Sequence, residues 1–264
     1  IYIYINDLPC VPEHCSTQCY VDDTKLMLNF NLYDQSHAIT RLNQDLCRIS
    51  NFTFNNQLFI NPDKTKFIVF SNRAMTAKLE DFCLTLLGKE HLPVNSIKDL
   101  GVILDSNLTY NDHIASTVSI CMSCLGQINR VKHSIDRNTL TIVINALVLS
   151  KLYYCTYVWC KTNLTKVQAV QNFACRIISN KRKYDHVTPI LKGLRWLPVG
   201  QQLYYLNAIM AFRCMTGCAP DPQCSRFIQN LVSPNAPQET QLLQIPLWRI
   251  ATGQRSFHYR AVKL

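Results

Sequence analysis

At 264 residues, with 48% apolar and 17% charged side chains, the chain can bury a core as one large domain or two smaller ones, which excludes a wholly disordered protein. No uninterrupted apolar run reaches about eighteen residues and no secretory signal layout is present, so neither a transmembrane helix nor a framework built from the thirteen irregularly spaced cysteines is expected. The net charge of +10 is uneven: residues 1–120 hold nine Lys/Arg against thirteen Asp/Glu, while residues 121–264 hold eighteen against four, which points to a polyanionic partner for the second half, most simply a nucleic acid.

Taken in order, residues 1–9 read as an apolar element closed by Asn6, Asp7 and Pro9, and 10–16 as a loop. Starting at Ile1, inside an apolar run, the chain is expected to be a piece of a longer protein. Residues 17–30 pattern as strand, tight turn and strand, with Leu26, Leu28 and Phe30 alternating after the bend and Asp22-Asp23 placed at it. Adjacent carboxylates repel unless a cation sits beside them. Mg²⁺ suits that position, since it takes hard oxygen ligands and commonly combines one or two carboxylates with phosphate oxygens. An ordinary turn fits Asp-Asp as well, because aspartate favours turns.

Ser36 is a candidate N-cap for a helix whose apolar side runs Ile39, Leu42, Leu46, Ile49 and Phe52. Asn61-Pro62-Asp63 marks a turn, and 65–70 an expected strand running back toward the aspartates. Lys64 and Lys66 place cations at the entrance of that strand. Short strands are expected over 82–87 and 92–104, with Gly101 at a bulge, turn or close backbone approach.

Beyond Leu108 the period becomes helical over 112–132, 137–158, 163–180 and 200–216. Asp136, Asn163 and Gly200 lie near the starts and Gly217 near a stop. Basic residues are scattered through this half, among them Arg130, Lys132 and the run Lys181-Arg182-Lys183, with Tyr184 and Trp196 interleaved. That mixture suits phosphate contacts and base stacking. Cys121 and Cys124 form a lone CxxC on a helical pattern, and Cys214, Cys218 and Cys224 lack clustered histidines, so most of the cysteines read as small buried side chains. Five prolines between Pro220 and Pro246 predict loops.

The motifs carry a resemblance. Ile3-Tyr4-Ile5-Asn6-Asp7-Leu8-Pro9 followed by Tyr20-Val21-Asp22-Asp23-Thr24-Lys25-Leu26 resembles the active-site hairpin of reverse transcriptases, in particular the non-LTR (LINE-type) retrotransposon enzymes. Val21 stands where that family usually has Ala. Asn61-x-x-Lys64-Thr65-Lys66-x-x-x-Phe70 and Lys98-x-Leu100-Gly101-Val102-x-x-Asp105 resemble the family's next two boxes, in the expected order. Further on, Val170-Gln171-Asn172-x-Ala174-x-Arg176-Ile177-Ile178, Arg182 to Leu191, Leu194 to Val199, and Gly253 to Leu264 resemble the region that follows the palm.

The resemblance implies an α+β fold: a partial polymerase palm over 1–107, with antiparallel strands and a packed helix, then a basic helical thumb-like region over 108–217 and a loop-rich extension over 218–264. It implies RNA-directed DNA synthesis, in which a primer 3′ hydroxyl attacks the α-phosphate of a deoxynucleotide with two Mg²⁺ ions. Asp22 and Asp23 would be the catalytic metal ligands and Lys64 an accessory catalytic cation. Tyr20, Val21, Leu100 and Gly101 would contact nucleotide or primer, and Arg130, Lys132, Lys181, Arg182 and Lys183 the nucleic-acid backbone. The implied partners are an RNA template, a DNA primer, deoxynucleoside triphosphates and the upstream part of the same polyprotein, inside the cell, with no membrane; nucleus and cytoplasm are both left open. A third aspartate, a Gly-rich helix and the basic fingers precede Ile1 in the family, so these 264 residues alone are expected to be inactive. The competing reading is a non-catalytic relic or a co-opted nucleic-acid-binding or interaction module.

Overall fold

The computed structural model describes residues 5–71, 73–76, 78–79, 82–159, 164–220, 223–224, 253 and 256–261, with the side chains of residues 73 and 76 excepted. The chain divides into two compact units, residues 1–108 and 109–264.

Among its described residues the first unit is built from three separate antiparallel hairpins and one long helix. Strands β1 (Ser16–Tyr20) and β2 (Asp23–Met27) pair in a register that sets Tyr20 opposite Asp23 and Ser16 opposite Met27. Strands β3 (Leu84–Leu86) and β4 (Lys89–His91) form the second hairpin, β5 (Ser96–Asp99) and β6 (Val102–Asp105) the third. Each closes with a two-residue loop. Leu87-Gly88 (φ +51° and +78°) and Leu100-Gly101 (φ +43° and +85°) both have the paired positive φ of type I′ turns, so Gly101 serves a turn rather than a bulge. Glycine bears this geometry without a Cβ penalty; the leucines do not.

Helix α1 (Gln35–Asn55) begins one residue before the expected cap. Asp34 occupies the N-cap position, after a 3₁₀ turn at Leu32–Asp34, and Ser36 lies inside the first turn. The buried stripe of α1 is Ala38, Asp45, Ile49 and Thr53, and Asn43 Oδ1 accepts the Thr85 N–H (2.9 Å), docking the helix against β3. The expected strand over 65–70 does not form: its carbonyls meet an individual bond, Val94 N–H to Phe67 C=O (2.9 Å), and a strand needs a repeating ladder. Phe67 packs instead on Phe82, which also meets Phe30 (ring centroids 5.6 and 5.5 Å). With Phe82 at 4% exposure, this aromatic cluster joins Leu84, Leu86 and Ile49 in the unit's core.

The second unit is helical among its described residues: α2 (Asn111–Val131), α3 (Arg137–Ile144, continued through a π turn at Asn145–Leu149 to Leu152), α4 (Leu164–Ile178), α5 (Thr188–Leu194) and α6 (Val199–Met215). Asp136 caps α3 by accepting the Asn138 and Thr139 N–H groups (2.9 and 3.1 Å). The single helix expected over 137–158 breaks at Tyr153–Cys155, where Cys155 takes φ +53°, and resumes at Thr156–Trp159. Gly217, at φ +70°, ends α6: its neighbour Cys218 donates to Arg213 C=O (2.8 Å), closing the last turn. Asn163 and most of the proline-rich 218–250 stretch lie outside the described residues.

The core of this unit is apolar, with Cys121, Leu125, Ile144, Val148, Leu152, Val170, Ala174 and Cys175 all at 0% exposure. Burial pushes the Cys121 and Cys175 thiols up to about 11, and Cys121 Sγ sits 3.7 Å from Val148 C=O. Two glutamines on α4 carry the polar contacts. Gln171, at 1% exposure, donates to Leu197 C=O (2.8 Å) and to the Tyr153 hydroxyl (3.1 Å). Gln168 accepts the Val199 N–H (2.9 Å). The Val170-Gln171-Asn172 motif and the Leu194 to Val199 motif are therefore two halves of one structural joint. The third motif docks likewise. Buried Arg260 donates to Asn207 Oδ1 (3.2 Å) and to Tyr157 C=O, fastening the short helix Phe257–Ala261.

Candidate active site

The two carboxylates that the sequence singles out sit at the closed end of the first hairpin, Asp22 in the loop and Asp23 as the first residue of β2. Both are exposed. The loop lacks glycine, and of its two residues Val21 alone takes positive φ (+55°). For a β-branched side chain this is an outlier that costs on the order of 1–2 kcal/mol. The register puts the Tyr20 side chain on the same face as Asp23, and Tyr20 is 62% exposed. An aromatic ring and a carboxylate thus stand side by side, open to solvent, next to the second carboxylate at the tip.

The entry to this hairpin is clamped by a residue on α1. Asp45, at 0% exposure, accepts three successive backbone N–H groups with its two oxygens, those of Glu13 (3.0 Å), His14 (2.9 Å) and Cys15 (2.8 Å). Arg48 Nη1 donates to it as well (2.7 Å) and Nη2 reaches Glu13 (2.6 Å). Burial would raise the carboxyl's pKa, but the Glu13 and His14 amides, Cys15 and Arg48 outweigh it and hold Asp45 at about 2. Cys15, desolvated and beside that carboxylate, is pushed up to about 12. β1 starts at the very next residue, Ser16.

Lys25 of β2 reaches the third hairpin, where its Nζ sits 2.6 and 2.8 Å from the two oxygens of Asp99. Asp99 immediately precedes the Leu100-Gly101 turn, so this ion pair brings the Tyr20–Asp23 and Leu100–Gly101 motifs together. Lys64 is not drawn into that group by any described ion pair. It lies exposed in a turn organised by Asn61, whose Oδ1 accepts the Asp63 (2.9 Å) and Lys64 (3.3 Å) N–H groups. Its neighbour Asp63 pairs with Lys89, and that ammonium lowers the Asp63 carboxyl.

Asp22 and Asp23 offer hard oxygen donors of the kind Mg²⁺ accepts. Among the described residues no group of three His, Cys, Asp or Glu side chains that could hold a metal ion gathers, so Asp22 and Asp23 stand as two donors without a third beside them.

In the second unit the sequence-selected cations fall in two places. Lys181, Arg182 and Lys183 are exposed in the loop between α4 and α5, and Lys132 Nζ donates to Asn180 Oδ1 at the start of that loop (2.9 Å). Arg130 is exposed in the last turn of α2, two positions from Lys132, a spacing that points it to a different face.

In an alignment 218 positions long that covers 76% of the chain, it is 25% identical to a protein of Drosophila melanogaster described as "Probable RNA-directed DNA polymerase from transposon BS". The chain resembles a transposon polymerase. It spans 23% of that relative's length. No family model and no solved structure matches the chain.

The residues that sequence reasoning missed are supporting ones. Asp45 had a signal: it falls on the stripe Ala38, Leu42, Ile49, Thr53 of α1, where an acid must be buried and therefore partnered. Lys25 and Asp99 had none, because they are 74 residues apart and each reads as an ordinary strand charge.

Proposed function

We propose that the chain is part of the RNA-directed DNA polymerase of a non-LTR retrotransposon, the first unit belonging to its palm and the second to the thumb-like region behind it. The observation that carries this reading is the hairpin of Tyr20, Val21, Asp22 and Asp23, with two open carboxylates at a strained tip, held between the Asp45 clamp and the Lys25–Asp99 pair. The similarity to a transposon polymerase supports the same assignment.

In this reading Asp22 and Asp23 hold divalent ions by their carboxylate oxygens. Bound there, two such ions supply charge stabilisation to the attacking and leaving oxygens of phosphoryl transfer. Tyr20, on the Asp23 face, contacts the primer end or the incoming nucleotide, and Val21 sets the tip's backbone. The Leu100-Gly101 turn, tied to β2 through Asp99, supports the primer. Lys64 supplies a mobile ammonium for the triphosphate. Arg130, Lys132, Lys181, Arg182 and Lys183 meet the phosphates of template and primer.

In this reading a third carboxylate, which the family carries on a strand earlier in the palm, completes the proposed site, so the chain by itself is expected not to polymerise. The test is primer extension on RNA and DNA templates, with the chain alone and with the preceding reading frame joined to it. Incorporation on RNA by the joined protein supports the polymerase. Strand binding without incorporation in either form favours the rival reading, a non-catalytic nucleic-acid-binding module, which the basic second unit would also serve.

A further inference from the structure

We propose that the loop Asn180–Asp185 is a binding subsite for a single-stranded polynucleotide, in which Tyr184 stacks on an unpaired base and Lys132, Lys181, Arg182 and Lys183 hold the flanking phosphates. This deepens the nucleic-acid contacts of the polymerase reading, adding an aromatic platform and a preference for unpaired strands.

The loop is built, not merely charged. At the end of α4, Asn180 turns the chain with φ +51°, a conformation asparagine tolerates, and Lys181 N–H closes back on Arg176 C=O (3.0 Å). Asp185 then fixes the next turn: its Oδ2 accepts the Arg182 N–H (2.8 Å) while its own N–H donates to Arg182 C=O (3.2 Å). Arg176 Nη2 lies 3.4 Å from Asp185 C=O. The Lys132–Asn180 bond adds a fourth cation from the end of α2. Backbone and neighbouring side chains thus hold the loop's path while its long cationic side chains face outward.

Among the described residues those cations meet no acidic side chain in an ion pair. Asp185 is the sole acidic residue between Asp136 and Asp221 in the sequence, and its carboxylate is engaged by the Arg182 backbone. No described ion pair involves Lys181, Arg182 or Lys183, although three adjacent like charges repel. External anions spaced along a strand relieve that repulsion. Tyr184 is 88% exposed in the middle of the group, with the Lys183 ammonium over its ring, 5.7 Å from the ring centre. A ring so open, with a cation over one face and the other left for a base, suits stacking beside phosphate contacts. A duplex does not meet the requirement, because its bases are already stacked on one another. Nothing in the loop selects a 2′-hydroxyl, so RNA and DNA strands are expected to bind alike here.

The test uses the full chain and fluorescence anisotropy with labelled strands of about a dozen nucleotides, as RNA, as DNA and as duplex, from about 50 to about 200 mM salt. Tyr184→Ala is expected to weaken binding of both single strands about tenfold without changing the salt slope, and Tyr184→Phe to retain it. Lys181→Ala is expected to flatten the slope of log K against log salt by about 0.7, the value of one single-strand phosphate contact. Thermal midpoints of the variants serve as the fold control, since these side chains are exposed. Unchanged single-strand affinity in Tyr184→Ala, an equal loss on duplex, or tighter binding to anionic lipid vesicles than to strands would overturn the proposal. The readout needs no catalysis, so it fails or stands separately from the polymerase assay.

Discussion

The two units solve the problem of order differently. The first carries nine Lys/Arg against twelve Asp/Glu, and its hairpins are held by charged side chains: Asp45 on three amides, Lys25 on Asp99, Arg48 on Glu13. The second carries eighteen against five, and its helices meet through an apolar core joined chiefly by neutral amides, Gln171 and Gln168, with buried Arg260 fastening the last short helix. Short hairpins bury little apolar area, so a unit made of them depends on polar clamps. Helices with wide apolar stripes do not, which leaves their basic residues free for the surface. The chemistry proposed for the chain follows the same division, with carboxylates and metal in one unit and strand binding in the other.

That contrast makes graded predictions. The largest effect is expected from Asp45→Ala, which strands three N–H groups, that of buried Cys15 among them, and Arg48: a loss of about 3 kcal/mol of the first unit's stability in denaturant unfolding. Asp45→Asn, which keeps one acceptor oxygen, should lose less. If both variants unfold like the parent, the clamp is not what orders the hairpin. Acid sharpens the same point. Asp45 has its folded pKa depressed to about 2, so its contribution is complete above about pH 4 and is lost as pH falls toward 2. The first unit should therefore melt before the second in an acid titration followed by amide exchange, and the reverse order would break the comparison.

Next in size is Gln171→Ala in the second unit, with an expected cost of about 2 kcal/mol, since it empties a side-chain site that is 1% exposed and removes the donor to Leu197 C=O and to the Tyr153 hydroxyl. Val21→Gly acts in the opposite direction. It relieves the positive φ and should stabilise the hairpin by about 1 kcal/mol, while slackening the tip that carries the carboxylates. A destabilised Val21→Gly would show that the tip is not strained. The smallest change is Lys25→Ala: the pair with Asp99 is part-exposed and worth under about 1 kcal/mol, so exchange protection of β5–β6 should fall slightly with the global midpoint unmoved.

Much of this was legible in the residues. The hairpin with its aspartates, helix α1, the Asp136 cap and the Gly217 stop all follow from alternation, helical period and capping chemistry. The strand over 65–70 was not to be had from its own pattern, because a strand exists only with a partner, and there Phe67 turns to an aromatic cluster instead. The break after Leu152 was hidden for a similar reason: the apolar period runs through it, and the φ of Cys155 is set by tertiary packing. Of the candidate site, the type of each residue was visible and its company was not. Asp45, Lys25 and Asp99 act across separations of about thirty and 74 residues, which no local pattern encodes.

The most direct test of the central claim is single-turnover nucleotide incorporation on an RNA template, with the preceding frame joined to the chain, comparing the parent with Asp22→Asn and with Asp63→Asn as an exposed-carboxylate control. The account predicts that Asp22→Asn lowers the rate by at least about a hundredfold while strand binding is kept, and that Asp63→Asn leaves the rate unchanged. Incorporation that survives Asp22→Asn at the parent's rate would contradict it.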